Sequence, residues 1–236
     1  MIADTTVISP YDGQVISLNK PIGITSFDAV SRIRHITGIR KVGHAGTLDP
    51  FAEGLLLVGI GRAATKRLPE FLMLEKEYIG RVVLGVVTDS LDLTGKVVET
   101  NSFEMPDEVE IKAVLDQFIG EIEQLPPMFS AVKINGRRLY RSARQGIEVE
   151  RIKRKVKINL LELTKITPDG FEMRVVCSKG TYIRALADDI GRKLGMGAHL
   201  GSLIRTRIGN FCLEEATTIS EFALSVTKTG RNARWN

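Results

Sequence analysis

The chain has 236 residues, 43% of them apolar, and a formal net charge of +5. This composition supports a packed core and excludes a disordered chain. The longest uninterrupted apolar run, Leu55 to Ile60 with Gly59 inside it, falls far short of the roughly 20 residues a membrane-spanning helix needs. The opening MIADTTVISPYDG has no basic segment followed by an apolar stretch, so no signal peptide and a cytoplasmic protein are expected. Cys177 and Cys212 are far apart in strand-like sequence. With three histidines and no CxxC, a metal site has little support, and both cysteines read as buried thiols.

Val15 to Leu18 reads as a first strand, followed by a turn through Pro21 and Gly23. Thr25 or Ser26 then caps a helix with Phe27, Val30, Ile33 and Ile36 at helical spacing, Asp28 complementing the dipole in the first turn. A glycine-rich loop from Lys41 to Pro50 leads to a buried strand, Leu55 to Ile60. Further strands are expected at 78–87, 156–163 and 171–177, and helices at 106–119 and 181–194. In the second of these, Ile183, Leu186, Ala187, Ile190 and Leu194 share a face. Strands and helices do not alternate strictly. The expected fold is therefore α+β, with a mixed or mostly antiparallel central sheet and flanking helices, rather than a doubly wound parallel sheet.

Charge is concentrated rather than spread. Lys133 to Lys157 carries ten Lys or Arg against Glu148 and Glu150, a local +8 that leaves −3 for the rest of the chain. Such a patch suits a polyanion partner, although a solvated charged face fits the charge alone. The polar stretch from about 124 to 151 carries Pro126, Pro127, Gly136 and Gly146 and reads as a long excursion from the core, a kind of loop that is usually functional.

Gly43-His44-Ala45-Gly46-Thr47-Leu48-Asp49-Pro50 is the most unusual sequence in the chain. Its glycines permit close backbone approaches, and Pro50 pushes Asp49 out of helical geometry, which can project a carboxylate into a cleft. Asp49 is thus a candidate nucleophile or base, although Asp-Pro is also common in plain turns. There is no P-loop, and Gly59-Ile60-Gly61 lacks the third glycine of a dinucleotide fingerprint and opens no clear long helix. A glycosidase pairing Asp49 with Glu53 stays open, as does a noncatalytic RNA-binding role. Tyr182 and Arg184 lie where a helix begins, a junction that often lines sites.

Together these segments resemble the TruB family of tRNA pseudouridine(55) synthases. The likeness rests on Leu18–Ser26, Lys41–Pro50, Ala52–Leu56, Lys76–Tyr78, Thr88–Asp92 with Gly95, Gln124–Lys133, Gly136, Tyr140, Ala143-Arg144, Gly146, Ser178–Arg184, Ala198–Leu200, Leu203 and Arg205. These blocks span about residues 15–210 in family order. The resemblance implies a pseudouridine synthase fold and isomerisation of the T-loop uridine of tRNA without cofactor or metal. Asp49 matches the catalytic aspartate and Arg184 the arginine that pairs with it. Tyr182 matches a tyrosine near the base, and Tyr78 the aromatic on which the flipped uracil stacks. His44 matches the residue that helps displace the target, Lys20 a basic site residue and Leu203 an apolar wall. The excursion matches an RNA-gripping insertion, in which Lys133, Arg137, Arg138, Arg141 and Arg144 would contact phosphates. The partner implied is the tRNA T-arm stem-loop, with no membrane and no protein partner required. Many members continue into a C-terminal PUA domain. Because 25 residues follow Phe211 (236 minus 211), a single catalytic domain over 1–236 without that module is expected.

Overall fold

A computed structural model describes residues 11–128, 133–134, 137–138 and 151–232, with side chains described at residues 11–128 and 151–227. The chain folds as two compact units. The first holds residues up to Leu74 together with Arg205 onward, and the second holds Glu75–Ile204.

The first unit is built on strand β3 (Glu53–Ile60). Strand β1 (Val15–Lys20) pairs antiparallel with it, from Val15 opposite Gly59 to Lys20 opposite Gly54. Strand β2 (Val42–Ala45) also pairs antiparallel with β3. The short strand Thr217–Thr218 joins β1 in parallel, so the sheet is mixed. Both faces of β3 are covered. Leu56, Val58 and Ile60 pack with Ala29, Val30 and Ile33 of helix α1 (Ser26–Thr37) and with Phe222 of the C-terminal helix Ile219–Asn232. Leu55 and Leu57 pack on the other side with Leu68 and Phe71 of helix α2 (Gly61–Met73). Two-sided burial explains why this strand reads as a continuous apolar run rather than an alternation.

Three expectations need correction here. Lys41–Pro50 is not all loop, because pairing with β3 draws Val42–Ala45 into a strand. Gly61 does open a 13-residue helix, which the sequence concealed because it has no side-chain cap and contains Pro69. Burial of Ala64, Leu68 and Phe71 holds it in place of local signals. Gly59 lets it approach, since a Cβ there would press on Ala64 and Leu68 at about 3.1 Å. Phe27, placed by spacing on the apolar face of α1, is 63% exposed. The buried stripe centres on Ala29, Val30 and Ile33, and at 3.6 residues per turn Phe27 lies about 110° from that centre.

The second unit is built on an antiparallel sheet. Strand β4 (Lys76–Leu84) pairs with Gly170–Cys177, which pairs with Arg154–Thr167, which pairs with Gly120–Gln124. Two helices accompany it, α3 (Glu108–Asp116), capped by Asp107, and α4 (Ile183–Lys193). Val86–Thr88 and Val97–Thr100 form a separate hairpin, so the expected strand over 78–87 is broken after Leu84. The long strand Ala198–Ile208 and the C-terminal helix had no counterpart among the elements expected from the sequence. The thiols of Cys177 and Cys212 are free. Burial pushes the Cys177 thiol up to about 12, which makes it inert, whereas Cys212 is only half-buried.

Candidate active site

In the first unit, Asp49 sits half-buried on the connection between β2 and β3, and this connection is fastened along its length. Ser26 Oγ donates to the Leu48 carbonyl at 3.1 Å and accepts from the Leu48 N–H at 2.8 Å. The Gly23 N–H donates to the Pro50 carbonyl at 2.8 Å. The residues on either side of Asp49 are therefore tied to the turn between β1 and α1 and to the first residue of α1. That turn is itself ordered by a capping box, in which Thr25 and Asp28 satisfy each other's backbone N–H groups.

Two buried cations complete the arrangement. Arg205 is 1% exposed; its Nε donates to the Leu55 carbonyl at 2.7 Å and its Nη2 to the Gly46 carbonyl at 3.1 Å. It therefore holds the two ends of the segment that carries Asp49. Gly54, with φ +106°, is required here because a Cβ would collide with the Arg205 backbone. Lys20 is fully inaccessible, and its ammonium donates to the carbonyls of Pro21 at 2.8 Å and Ile24 at 2.9 Å. Burial lowers its pKa to about 8; the Asp49 and Glu53 carboxylates oppose this and the Arg205 charge reinforces it. Lys20, His44, Asp49, Glu53 and Arg205 thus form one electrostatic cluster. His44 is held below its ordinary value, first by burial and then by Arg205, with a Gly46 backbone contact opposing, so the neutral imidazole dominates at pH 7. Its Nδ1 is buried with no hydrogen-bond partner among the described residues.

The second unit gathers the other expected residues. Arg184 lies in the first turn of α4 and is buried rather than part of an ionic helix surface. Its Nη1 donates to the Ser90 carbonyl at 2.8 Å and lies 3.3 Å from Asp92 Oδ2. Asp92 Oδ1 in turn accepts from Ser90 Oγ, Thr94 N–H and Thr94 Oγ1 at 2.6–2.9 Å, so the carboxylate is fixed before it meets the arginine. Tyr182 is the N-cap of α4; its N–H donates to Gln124 Oε1 at 2.7 Å while Gln124 Nε2 donates back to its carbonyl at 3.0 Å. Tyr78 points to the buried side of β4 with Gly80. The space left by Gly80 takes Leu200, Ile183 and Leu203.

Lys20, His44 and Asp49 are therefore brought together in one unit, and Tyr78, Tyr182, Arg184 and Leu203 in the other. Lys133, Arg137 and Arg138 lie on a small hairpin, with Lys133 opposite Arg138. Arg141 and Arg144 lie outside the described residues. Among the described residues no group of three His, Cys, Asp or Glu is placed to hold a metal ion. The residues missed as site members are Ser26, Asp92, Gln124 and Arg205. They act largely on backbone groups, and no spacing in the sequence signals a backbone partner.

Known proteins are similar to this chain in sequence and in fold. Residues 34–183 match the model for the TruB family pseudouridylate synthase (N terminal domain), and residues 184–233 that for the tRNA pseudouridylate synthase B C-terminal domain. A tRNA pseudouridine synthase B of Protochlamydia amoebophila is 48% identical over 88% of this chain and 78% of its own length. That of Clostridium tetani is 47% identical over 88% and 71%. Among solved structures, the archaeal box H/ACA sRNP Nop10-Cbf5 complex contains a chain that superposes with TM-score 0.70 and 28% identity, covering 94% of this chain. An H/ACA RNP bound to a substrate RNA containing 2'-deoxyuridine gives TM-score 0.70 and 29% identity over 93%. The present chain spans little more than half the length of these two solved chains, 57% and 55%. The α+β architecture is that of the pseudouridine synthases, and the chain belongs to the TruB family.

Proposed function

We propose that this protein isomerises uridine to pseudouridine in the T-loop of tRNA, at position 55, with Asp49 as the catalytic carboxylate. The observation that carries the reading is the fastening of Asp49 between Leu48 and Pro50, beside two buried cations, in a chain of this family. A carboxylate held this way does not have to be reoriented when substrate arrives, which lowers the entropic part of a barrier. The reaction breaks the C1′–N1 bond, turns the base and joins C1′ to C5. The C5 proton leaves and N1 gains one, so no electron carrier is consumed. The Asp49 carboxylate has two chemical routes, covalent attack or removal of a sugar proton as the base departs.

A uridine in a folded loop has to be extruded first. In this reading neutral His44 helps take its place and Tyr78 receives the base. Tyr182, Arg184 and Leu203 take the roles that the family resemblance gives them, while Lys20 supplies positive charge beside Asp49. The basic segment holding Lys133, Arg137, Arg138, Arg141 and Arg144 grips phosphates. The tRNA is the one partner the reaction needs, and the cytoplasm is where it meets it. Incubation with unmodified tRNA followed by pseudouridine-specific chemical labelling tests the proposal. Wild-type protein should label the T-loop uridine, and Asp49→Asn should bind tRNA without labelling it. Free uracil would mean a glycosidic hydrolase, and an active Asn variant would remove Asp49 from the chemistry.

A further inference from the structure

The two residues tied to Asp49's neighbours lead directly to two exposed apolar side chains. Ile22 immediately precedes Gly23, whose N–H is bonded to Pro50, and it is 59% exposed. Phe27 immediately follows Ser26, which is bonded to Leu48, and it is 63% exposed. Each of these exposed side chains, one aliphatic and one aromatic, is thus one residue along the chain from a hydrogen bond to the loop that carries Asp49. Large apolar side chains left in water next to a functional loop are candidates for a contact surface.

The ring of Phe27 is also prepared. Arg34, two turns along α1 on the same side, places its guanidinium 5.4 Å from the ring centroid and donates from Nη2 to the Val42 carbonyl at 2.8 Å. One side of the aromatic is therefore backed by a fixed cation, which favours a flat, electron-rich or anionic visitor on what remains open. The surrounding charge agrees. Residues 26–41 carry Arg32, Arg34, Arg40 and Lys41 against Asp28 alone, a net +3 over this short segment. Arg32, Arg40 and Lys41 are exposed. Aromatic stacking platforms interleaved with cations are the general means of holding unpaired nucleotides, because every base offers a π face and every linkage a negative charge.

We propose that Ile22 and Phe27, backed by Arg34, form a platform on which the nucleotides flanking the target uridine stack while that uridine is within reach of Asp49. This rests on the reading of the protein as a tRNA-modifying enzyme and adds a substrate-contacting surface apart from the basic insertion. Bases next to an extruded nucleotide lose a stacking neighbour, and an exposed ring beside the catalytic loop replaces it.

Both side chains are exposed, so their replacement leaves the core intact. Phe27→Ala should weaken binding of a T-arm hairpin about 5- to 20-fold, at the lower end of what one stacked base contributes. Phe27→Tyr should restore it, and far-ultraviolet circular dichroism of both variants should match wild type. For a direct reading, Trp235, the sole tryptophan, is replaced by Phe and Phe27 by Trp; fluorescence of the new indole should be quenched on titration with the hairpin. Unchanged affinity in Phe27→Ala together with an unquenched indole overturns the platform. So does unchanged affinity accompanied by conversion of a dimer to a monomer, which would assign the ring to a second copy of this chain. These readouts report binding and do not depend on turnover. A platform that fails while wild-type protein still makes pseudouridine refutes this inference alone, whereas quenching without pseudouridine refutes the proposed reaction alone.

Discussion

Replacing Arg205 by Met removes a guanidinium that is 1% exposed and holds the Gly46 and Leu55 carbonyls at 3.1 and 2.7 Å. Hydrogen bonds from charged donors contribute about 1.5–3 kcal/mol each, so the two together come to about 3–6 kcal/mol. One opposing effect reduces this sum: the Arg205 charge disfavours the buried ammonium of Lys20, and that repulsion disappears with it. A net destabilisation of about 3 kcal/mol is expected, less than the 5–15 kcal/mol by which such domains are usually stable. The variant should therefore fold but hold Asp49 loosely, with kcat down by about 100-fold or more and a smaller change in KM. Guanidinium melts and single-turnover kinetics give these quantities. The same change carries an electrostatic signature that loosening alone does not produce. His44 is held below its ordinary pKa by burial and then by Arg205, so removing that cation should raise its titration midpoint in an imidazole NMR experiment. Arg205→Lys keeps the charge but not the fork, so it should preserve the His44 midpoint while still losing activity. A destabilisation below about 1 kcal/mol with normal kcat, or a His44 midpoint that falls in the Met variant, would refute the reasoning.

Lys20 has a folded pKa of about 8 against an ordinary 10.5, so between these values the unfolded chain holds more protons and this site's contribution to stability rises with pH. Lys20→Met should accordingly gain stability over wild type at pH 7.5 and lose most of that gain by pH 10, as read from denaturant melts at the two pH values; a gain independent of pH would contradict the assignment. Asp92→Ala breaks a buried ion pair with Arg184 and should lower stability by about 3–5 kcal/mol together with kcat. Asp92→Asn keeps the hydrogen-bond network and should lose less stability, and equal losses in the two variants would show that charge dominates. Neutralising Arg137, Arg138, Arg141 and Arg144 together should lower the log–log salt slope of tRNA binding by about 0.7–0.9 for each phosphate that is no longer neutralised. An unchanged slope would mean those side chains face only solvent.

What could be seen in the sequence was what local rules encode. Thr25 and Asp28 announce the start of α1 because a capping box is written within four residues, and Leu55–Ile60 announces a strand because both its faces are apolar. The expected catalytic segment was visible for the same reason, its glycines and Asp49-Pro50 being adjacent. Helix α2 was hidden because its stability comes from Leu68 and Phe71 reaching a sheet formed by distant residues, while Gly61 and Pro69 argue against a helix locally. Phe27 was placed on the wrong face because three-residue spacing alone does not say where the stripe is centred. Arg205, Asp92 and Gln124 stand in segments that carry the resemblance, but their roles were not legible there, since each depends on a partner far along the chain.

The fastening by Arg205 has a consequence for synthesis. The guanidinium reaches back 150 residues to Leu55 and 159 to Gly46. At about 5–20 residues per second, a ribosome that has just made Leu55 needs roughly 8–30 s before Arg205 exists. Throughout that interval Lys20 and Asp49 are present without the residue that closes their segment, and long-range contacts of this kind are slow to be repaid in the entropy of loop closure. A nascent chain released before Arg205 should therefore lack the fastened loop even where β1, α1 and β3 have already formed. In the proposed reading, the loop that carries Asp49 is therefore fastened only once Arg205 has been made, long after the residues it holds.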